Sequence, residues 1–258
     1  MSNSRRDFLK LGASLLLAGA VSPLLRVDAE HAATSVFSRG LTRLPKVALT
    51  YDDCYLVTIM QKLEKLLDAY PNVRITLFPV GEALLSVEGK DRGIWKRFVE
   101  RGHEIGYHSF RHDNLQLFSS EGAIADYDLW LDALRTVLAK DIPVHFARPP
   151  FGNVSPPFLD LCAARGLVCT MWSWGWGGTV LDDTVKYTIP RTKNGDIVLL
   201  HTRSFDADVS GPGFAWLNSQ NIQAVTLRQL YYDYRKEQSE SKGCEVPSSS
   251  SLTRTCID

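Results

Sequence analysis

Four short apolar runs in this chain each deliver a polar group suited to catalysis, and that pattern limits the fold more than any other feature. Residues 46–51 run into Asp52 and Asp53. Residues 104–107 run into His108, with His112 four positions later, residues 144–147 into Arg148, and residues 196–200 into His201. Strands of an α/β barrel bring side chains to one catalytic rim in this way. Between the runs lie stretches with helical spacing. Ile59, Leu63, Leu66 and Leu67 fall on one face, then Ile94, Phe98 and Val99, then Leu131, Leu134 and Leu138. Ser119-Ser120-Glu121 opens the helix that ends near Ala139, and Gly166 stops one over residues 156–165. Further strands are expected over residues 74–80, closed by Gly81, and over 167–172. Alternation of this kind predicts a parallel sheet with helices outside.

His108 and His112 are spaced to turn two imidazoles toward one point, and neutral imidazole suits zinc. An isolated pair of this spacing is more often two solvated helix neighbours. Here Asp53 adds a carboxylate at a strand end. One carboxylate and two imidazoles make a facial set with positions open to water and substrate. Adjacent strand residues point to opposite faces, so Asp52 and Asp53 can take different roles only if the chain bends there. Arg148 can grip a carboxylate with a bidentate guanidinium and keep it ionised. Leu199 shares a strand face with His201, and Phe151-Gly152 offers an aromatic wall with backbone room beside it. His31, His103 and His145 read as structural histidines satisfied by backbone.

In their order along the chain, Thr50-Tyr51-Asp52-Asp53, His108-Ser109 with His112, Arg148-Pro149-Pro150 with Gly152, and Leu199 with His201 resemble the motifs of the NodB-type polysaccharide deacetylases, carbohydrate esterase family four. The resemblance spans about residues 46–235. It implies a distorted (β/α) barrel of seven to eight strands. It also implies hydrolysis of an acetyl group from a glycan, with Asp52 as general base, Arg148 held against it, and His201 as general acid. Asp53, His108 and His112 then hold one divalent metal, zinc first, with cobalt and nickel as alternatives. Phe151, Gly152, Trp172 and Leu199 are the residues expected against the substrate. The chain departs from the family where an acidic segment usually tunes the acid histidine. Residues 171–178 carry three tryptophans and no carboxylate, and Asp182 and Asp183 come only later. Cys54 also replaces the usual small residue after the aspartate pair.

Export is expected from the N-terminus. Arg5-Arg6 followed by Phe8-Leu9-Lys10 resembles a twin-arginine signal. The apolar stretch after it is interrupted by Gly12, Gly19 and Pro23, and is too short for a stable membrane span. Small-residue exits follow Ala20, Ala29 and Ala32. The expected organisation is a signal over residues 1–32, one deacetylase domain over 33–240, and a serine-rich tail over 241–258, with poor order setting in from Glu237. About 225 residues after the signal suffice for one full core. The formal net charge is zero, so no global field draws nucleic acid. The expected partners are therefore an acetylated glycan and the twin-arginine export machinery, and the expected location is periplasmic or extracellular. Cys244 and Cys256 can pair in an oxidising compartment, and Cys162 and Cys169 are either buried thiols or a second bridge.

The substrates that fit are N-acetylglucosamine in chitin oligomers or peptidoglycan, then O-acetylated xylan. The rivals are a carbohydrate-binding protein that has lost turnover, favoured by the missing carboxylate, and an amidase of the same fold. The export reading has a direct test. Replacing Arg5 and Arg6 by lysine should strand the precursor in the cytoplasm, as followed by fractionation. Normal appearance of the mature form outside would refute it.

Overall fold

The computed structural model describes residues 36–40 and 43–241 of the 258-residue chain. The twin-arginine pattern, His31, the tail beyond Ser241, and Cys244 with Cys256 lie outside the described residues. The first strand, β1 (Lys46–Asp53), is the axis of the fold, and six of its eight residues are buried. It pairs in parallel with β2 (Ile75–Pro79) on one side and β7 (Ile197–His201) on the other. The sheet order is β3 (Glu104–Ile105), β2, β1, β7 and β6 (Trp174–Gly175), and β8 (Gln223–Val225) pairs with the opening residues of β1. A second ladder joins β4 (Phe146–Ala147) to β5 (Val168–Cys169). A bridge from Tyr107 to Ala147 links it to the end of β3. Every ladder is parallel, so the fold is α/β with a parallel sheet. Polar residues that follow these strands therefore gather at one end.

The helices cover the sheet as their patterns require. α1 (Val57–Ala69) buries Met60, Leu63 and Leu67, a face one step round from the expected one, because Met60 takes the inward position of Ile59. α2 (Gly81–Lys90) begins where only a strand stop was expected. α3 (Ile94–Glu100) follows. α4 (Ser120–Leu138) is capped by the Ser119 hydroxyl, which accepts from the Gly122 N–H at 3.1 Å. α5 (Pro156–Arg165) starts on proline and ends on Gly166 at φ 66°. The short α6 (Leu181–Asp183) runs into a π-helical turn, Thr184–Thr188. Fully buried Trp95, Trp130 and Trp176 anchor the core between these layers.

Several expectations need correction. The β3, β4 and β5 ladders are two residues each, shorter than their apolar runs, because pairing continues through single bridges. α7 (Ser204–Ser219) is helical despite Gly211, Pro212 and Gly213. Burial against β1 and Trp176 outweighs the local propensity loss there. α8 (Leu227–Ser241) runs four residues beyond Glu237, where poor order was expected. The Glu237 carboxylate accepts from the Arg43 N–H at 2.6 Å, which pins that turn to the strand-one entrance. Cys162 and Cys169 are buried free thiols.

Two residues adjacent in sequence titrate in opposite senses. His103 Nδ1 accepts from the Ile75 N–H at 3.3 Å, so it is a backbone-satisfied histidine as expected. Burial and the charges of Arg74 and Arg101 lower it to about 4. Glu104 keeps some residual surface, yet its Oε1 is buried with no partner, while Oε2 accepts from Thr76 and from the Arg228 N–H. Burial pushes its carboxyl up to about 7 against those bonds. An acid raised in the fold holds a proton that the unfolded chain has already released. Its contribution to stability therefore falls as pH rises from 4.5 to about 7. The His103 contribution runs the other way and is lost as pH falls from 6.5 to about 4. Glu104→Gln should remove the first slope and leave the second. Urea unfolding of both proteins across this range checks it, and parallel curves would exclude the assignment.

Candidate metal and acid–base site

Each expected site residue sits at or one step beyond a strand end. Asp52 and Asp53 close β1, His201 closes β7, Arg148 follows β4, and His108 follows the Tyr107 bridge. The bend that adjacent aspartates need is present. Asp53 and Cys54 have φ of 71° and 65°, in the left-handed region. The turn brings both carboxylates to one imidazole. His108 Nε2 lies 3.9 Å from Asp52 Oδ2 and 3.6 Å from Asp53 Oδ1. His112 Nε2 lies 3.2 Å from the same Asp53 oxygen.

The two aspartates differ in what holds them. Asp52 accepts from Arg148 Nη1 at 2.8 Å. Arg148 is fully buried, and the same nitrogen donates to Thr50 Oγ1 at 2.8 Å while Nη2 donates to the Met171 carbonyl at 3.2 Å. The guanidinium therefore grips Asp52 through one nitrogen, not through the bidentate fork expected, with Nη2 turned to the Met171 carbonyl and Nε buried without a partner. Its central carbon rests 4.4 Å over the Phe78 ring. Asp53 lacks such a partner. Its Oδ1 is buried and accepts no hydrogen bond. Burial raises its pKa, but His108 and His112, and the charge of His201, outweigh that and hold the carboxyl well below the usual range.

The imidazoles are prepared for a cation. His108 Nδ1 lies 2.8 Å from the Arg148 carbonyl, so the N–H is on Nδ1 and the Nε2 lone pair faces Asp53. The loop from His108 to His112 is held by the first turn of α2. The Gly81 and Glu82 N–H groups, which have no helical acceptor, donate to the Ser109 and Phe110 carbonyls at 3.1 and 2.9 Å. Asp126 on α4 accepts from the Phe110 N–H at 2.9 Å and from the Tyr107 hydroxyl. A buried carboxylate oxygen with no donor, facing two imidazole nitrogens, is a poor arrangement without a positive ion and a good one with it. One ligand atom from each of Asp53, His108 and His112 falls within 4.8 Å of the others. The donor set fits a divalent cation.

The surrounding wall is partly as expected. Phe151, at φ 60° and 64% exposed, stands edge-on to His112 with ring centroids 4.6 Å apart. Leu199 and His201 share the less buried face of β7. Trp172 lies near Arg148, with 5.8 Å between its ring and the guanidinium carbon. Gly152 gives no open room, because a Cβ there would lie 3.0 Å from the Trp172 ring and 3.1 Å from Met171. Trp176 is core, with its Nε1 donating to Thr192. Asp182 and Asp183 are exposed on α6 and do not stand in for the missing carboxylate. Besides Asp53, the acid that interacts with His201 is Asp206, in the first turn of α7. Burial raises it, while the His201 backbone and the charges of His201 and Arg203 pull it down. Sequence reasoning missed Asp206, Asp126 and Thr50. Thr50 at least stands within the first motif, and Asp126 is a charged residue between buried Ala123 and Trp130.

An α/β sheet with an Asp-His-His cluster and a separately gripped carboxylate defines a class of hydrolase-like sites. The polysaccharide deacetylase family profile matches residues 40–169, and the chain belongs to that family. It is 27% identical over 213 residues to a bifunctional xylanase/deacetylase of Pseudobutyrivibrio xylanivorans, a match that covers 81% of this chain and 32% of that protein. A peptidoglycan-N-acetylglucosamine deacetylase of Bacillus cereus is 27% identical over 197 residues, covering 71% of this chain and 87% of its own length. Among solved structures, the peptidoglycan deacetylase PdaC of Bacillus subtilis superposes with a TM-score of 0.67 at 20% identity, covering 78% of this chain and 96% of that one. A family-four pseudoenzyme from Bacillus anthracis superposes at 0.66 with 18% identity, over 76% of this chain and 68% of that one. Among the described residues no helix is long and apolar enough to cross a membrane.

The donor set carries its own test. Protein reconstituted with zinc should hold about one equivalent by elemental analysis. His108→Ala or Asp53→Asn should lose most of it, and undiminished metal in both would move the site elsewhere.

Proposed function

We propose that this protein is an exported, metal-dependent hydrolase that removes acetyl groups from an acetylated carbohydrate. The observation that carries the reading is the division of labour between neighbouring aspartates. Asp52 is gripped by a buried arginine, and Asp53 faces two imidazoles with an oxygen that has no donor. A barrel-like course of the strands, running from the main sheet through the Tyr107 and Phe37 bridges, belongs to the same proposal. So do a signal at residues 1–32 and a periplasmic or extracellular location.

Asp53, His108 and His112 would hold the ion, zinc before cobalt or nickel. When bound, a divalent ion supplies Lewis acidity toward a water and an acetyl carbonyl. Asp52 takes the proton of the attacking water. Arg148 keeps it aimed, at the strand position directly beside His201. His201 gives a proton to the departing nitrogen or oxygen. Leu199, Trp172 and Phe151 wall the acetyl group and the sugar that bears it. Amides of N-acetylglucosamine come first as substrates and O-acetylxylan second, in keeping with the peptidoglycan, chitooligosaccharide and xylan-linked deacetylases that the sequence resembles.

A panel of acetylated glycans, assayed for acetate with metal removed and restored, tests the activity. Asp52→Asn should keep the fold and most of the metal while acetate release falls by about a hundred- to ten-thousand-fold. His201→Ala should slow amides more than an activated aryl acetate, whose leaving group needs no proton. A wild type with no turnover on any member of the panel, yet with glycan affinity equal to both variants, would establish a binding protein instead.

A further inference from the structure

We propose that Asp126 is a positioning residue for the metal site, holding the loop from His108 to His112 in the shape that brings His112 onto Asp53 and so setting how tightly the site takes a divalent ion. The proposal rests on the metal reading of Asp53, His108 and His112, and extends it to a residue outside that set. Asp126 lies on α4, one position before buried Tyr127. Its Oδ1 accepts from two donors that stand on either side of His108 in the chain. They are the Tyr107 hydroxyl and the Phe110 N–H, the latter at 2.9 Å. The first donor belongs to the core. The Tyr107 ring is fully buried, with centroids 5.1 Å from Tyr127 and 5.4 Å from Trp130, and the Tyr107 N–H donates to the Phe146 carbonyl at 3.0 Å. The second donor belongs to the loop. One carboxylate oxygen therefore transmits the position of the core to the segment that carries the imidazoles.

That loop needs holding. Ser109 and His112 have φ of 60° and 61°, in the left-handed region that a non-glycine residue keeps only where its neighbours impose it. Phe110 lies between them and is the anchored residue. Its carbonyl accepts from the Glu82 N–H at 2.9 Å, and its ring packs on Gly81, where a Cβ would lie 2.3 Å from Phe110 Cδ2. Both contacts come from α2. Asp126 is the anchor from α4, on the N–H of the same residue. With Phe110 held from two helices, His112 Nε2 stands 3.2 Å from Asp53 Oδ1. Stability alone is a poor reason for a carboxylate in this place. Asp126 makes no ion pair among the described residues, and burial raises its carboxyl even against the two bonds it accepts. An apolar side chain at a half-buried helix position would avoid that cost. The two bonds both go to the segment that carries His108 and His112.

Zinc affinity is measured by chelator competition on the intact protein, at a temperature where each metal-free variant is folded by circular dichroism. Cobalt(II) is then substituted, and its visible absorption reads the ligand geometry. Asp126→Ala should weaken zinc about ten- to hundredfold and alter the cobalt bands. Asp126→Asn, whose side-chain oxygen can still accept both bonds, should restore affinity and spectrum. A merely structural residue would lower the melting temperature of the metal-free protein and leave both readings as in wild type, which overturns the proposal. An Asp126→Asn protein that behaves like Asp126→Ala also overturns it, because the charge and not the bonds would then be what acts. Should Asp126→Ala fail to fold, Asp126→Ser, polar but too short to reach Phe110, takes its place, and failure of both overturns the positioning role. If wild type takes up neither zinc nor cobalt, the metal reading falls separately. The positioning role is then decided by a crystal structure of metal-free Asp126→Ala. His112 Nε2 drawn away from Asp53 sustains it, and an unchanged separation overturns it.

Discussion

The site depends on one buried cation. Arg148 has no exposed surface, so its charge must be answered inside the protein, and three elements answer it. β1 supplies Asp52 and the Thr50 hydroxyl, the segment after β5 supplies the Met171 carbonyl, and β2 supplies the Phe78 face. The backbone of the same residue is as engaged as its side chain. Its N–H donates to the Tyr107 carbonyl at 2.9 Å, and its carbonyl accepts from His108. A single residue thereby fixes the orientation of the proposed base and the tautomer of a proposed metal ligand. Removing one partner of such a pair leaves an unanswered buried charge, at a cost of roughly 3–5 kcal/mol. A substitution at Arg148 therefore acts on fold and site together, whereas Asp53 and His112 can be altered with less disturbance.

The local backbone carries strain where the chemistry is proposed. Of the seven non-glycine residues with positive φ among the described residues, five are Asp53, Cys54, Ser109, His112 and Phe151. Such conformations cost on the order of 1–3 kcal/mol each and persist only where neighbours over-determine them. Here the neighbours are identifiable. The Asp53 carbonyl accepts from the Val80 N–H at 3.1 Å, and the next two N–H groups of α2 take the Ser109 and Phe110 carbonyls. The start of α2 thus ties the aspartate turn to the histidine loop. Cys54 sits at zero exposure under that turn, where burial and the two aspartates push its thiol well above its usual range and keep it in the unreactive form.

The sheet and the clustering of Asp53, His108 and His112 were legible because both follow from patterns with a fixed period. Apolar runs ending in Asp, His or Arg identify strands and the side chains at their ends without any knowledge of pairing. What was illegible depends on contacts distant in sequence. α7 carries Gly211, Pro212 and Gly213, which mask its helical pattern, and it packs Gly213 against the Trp176 ring. α2 lacks an N-cap side chain, and its first N–H groups are satisfied by a loop some thirty residues away. The single-nitrogen grip of Arg148 was hidden for the same reason, since Thr50 shares the nitrogen that holds Asp52 and the Met171 carbonyl takes the other.

The missing carboxylate has a structural answer in the part of the chain that periodicity could not read. The segment after β5 places its tryptophans in the core and at the site wall, with no acid among them. Asp206 arrives from α7 instead, 6% exposed, its carboxyl raised by burial against the pull of the His201 backbone and the charges of His201 and Arg203. The Tyr51 hydroxyl meets Ser210 at 2.7 Å, and Ser210 in turn donates to the Asp206 carbonyl at 2.6 Å, so that helical turn is anchored to β1 from beneath. A turn held in this way can support His201 without the usual acidic segment. Loss of that segment is therefore a weaker argument for an inactive binding protein than the sequence alone makes it.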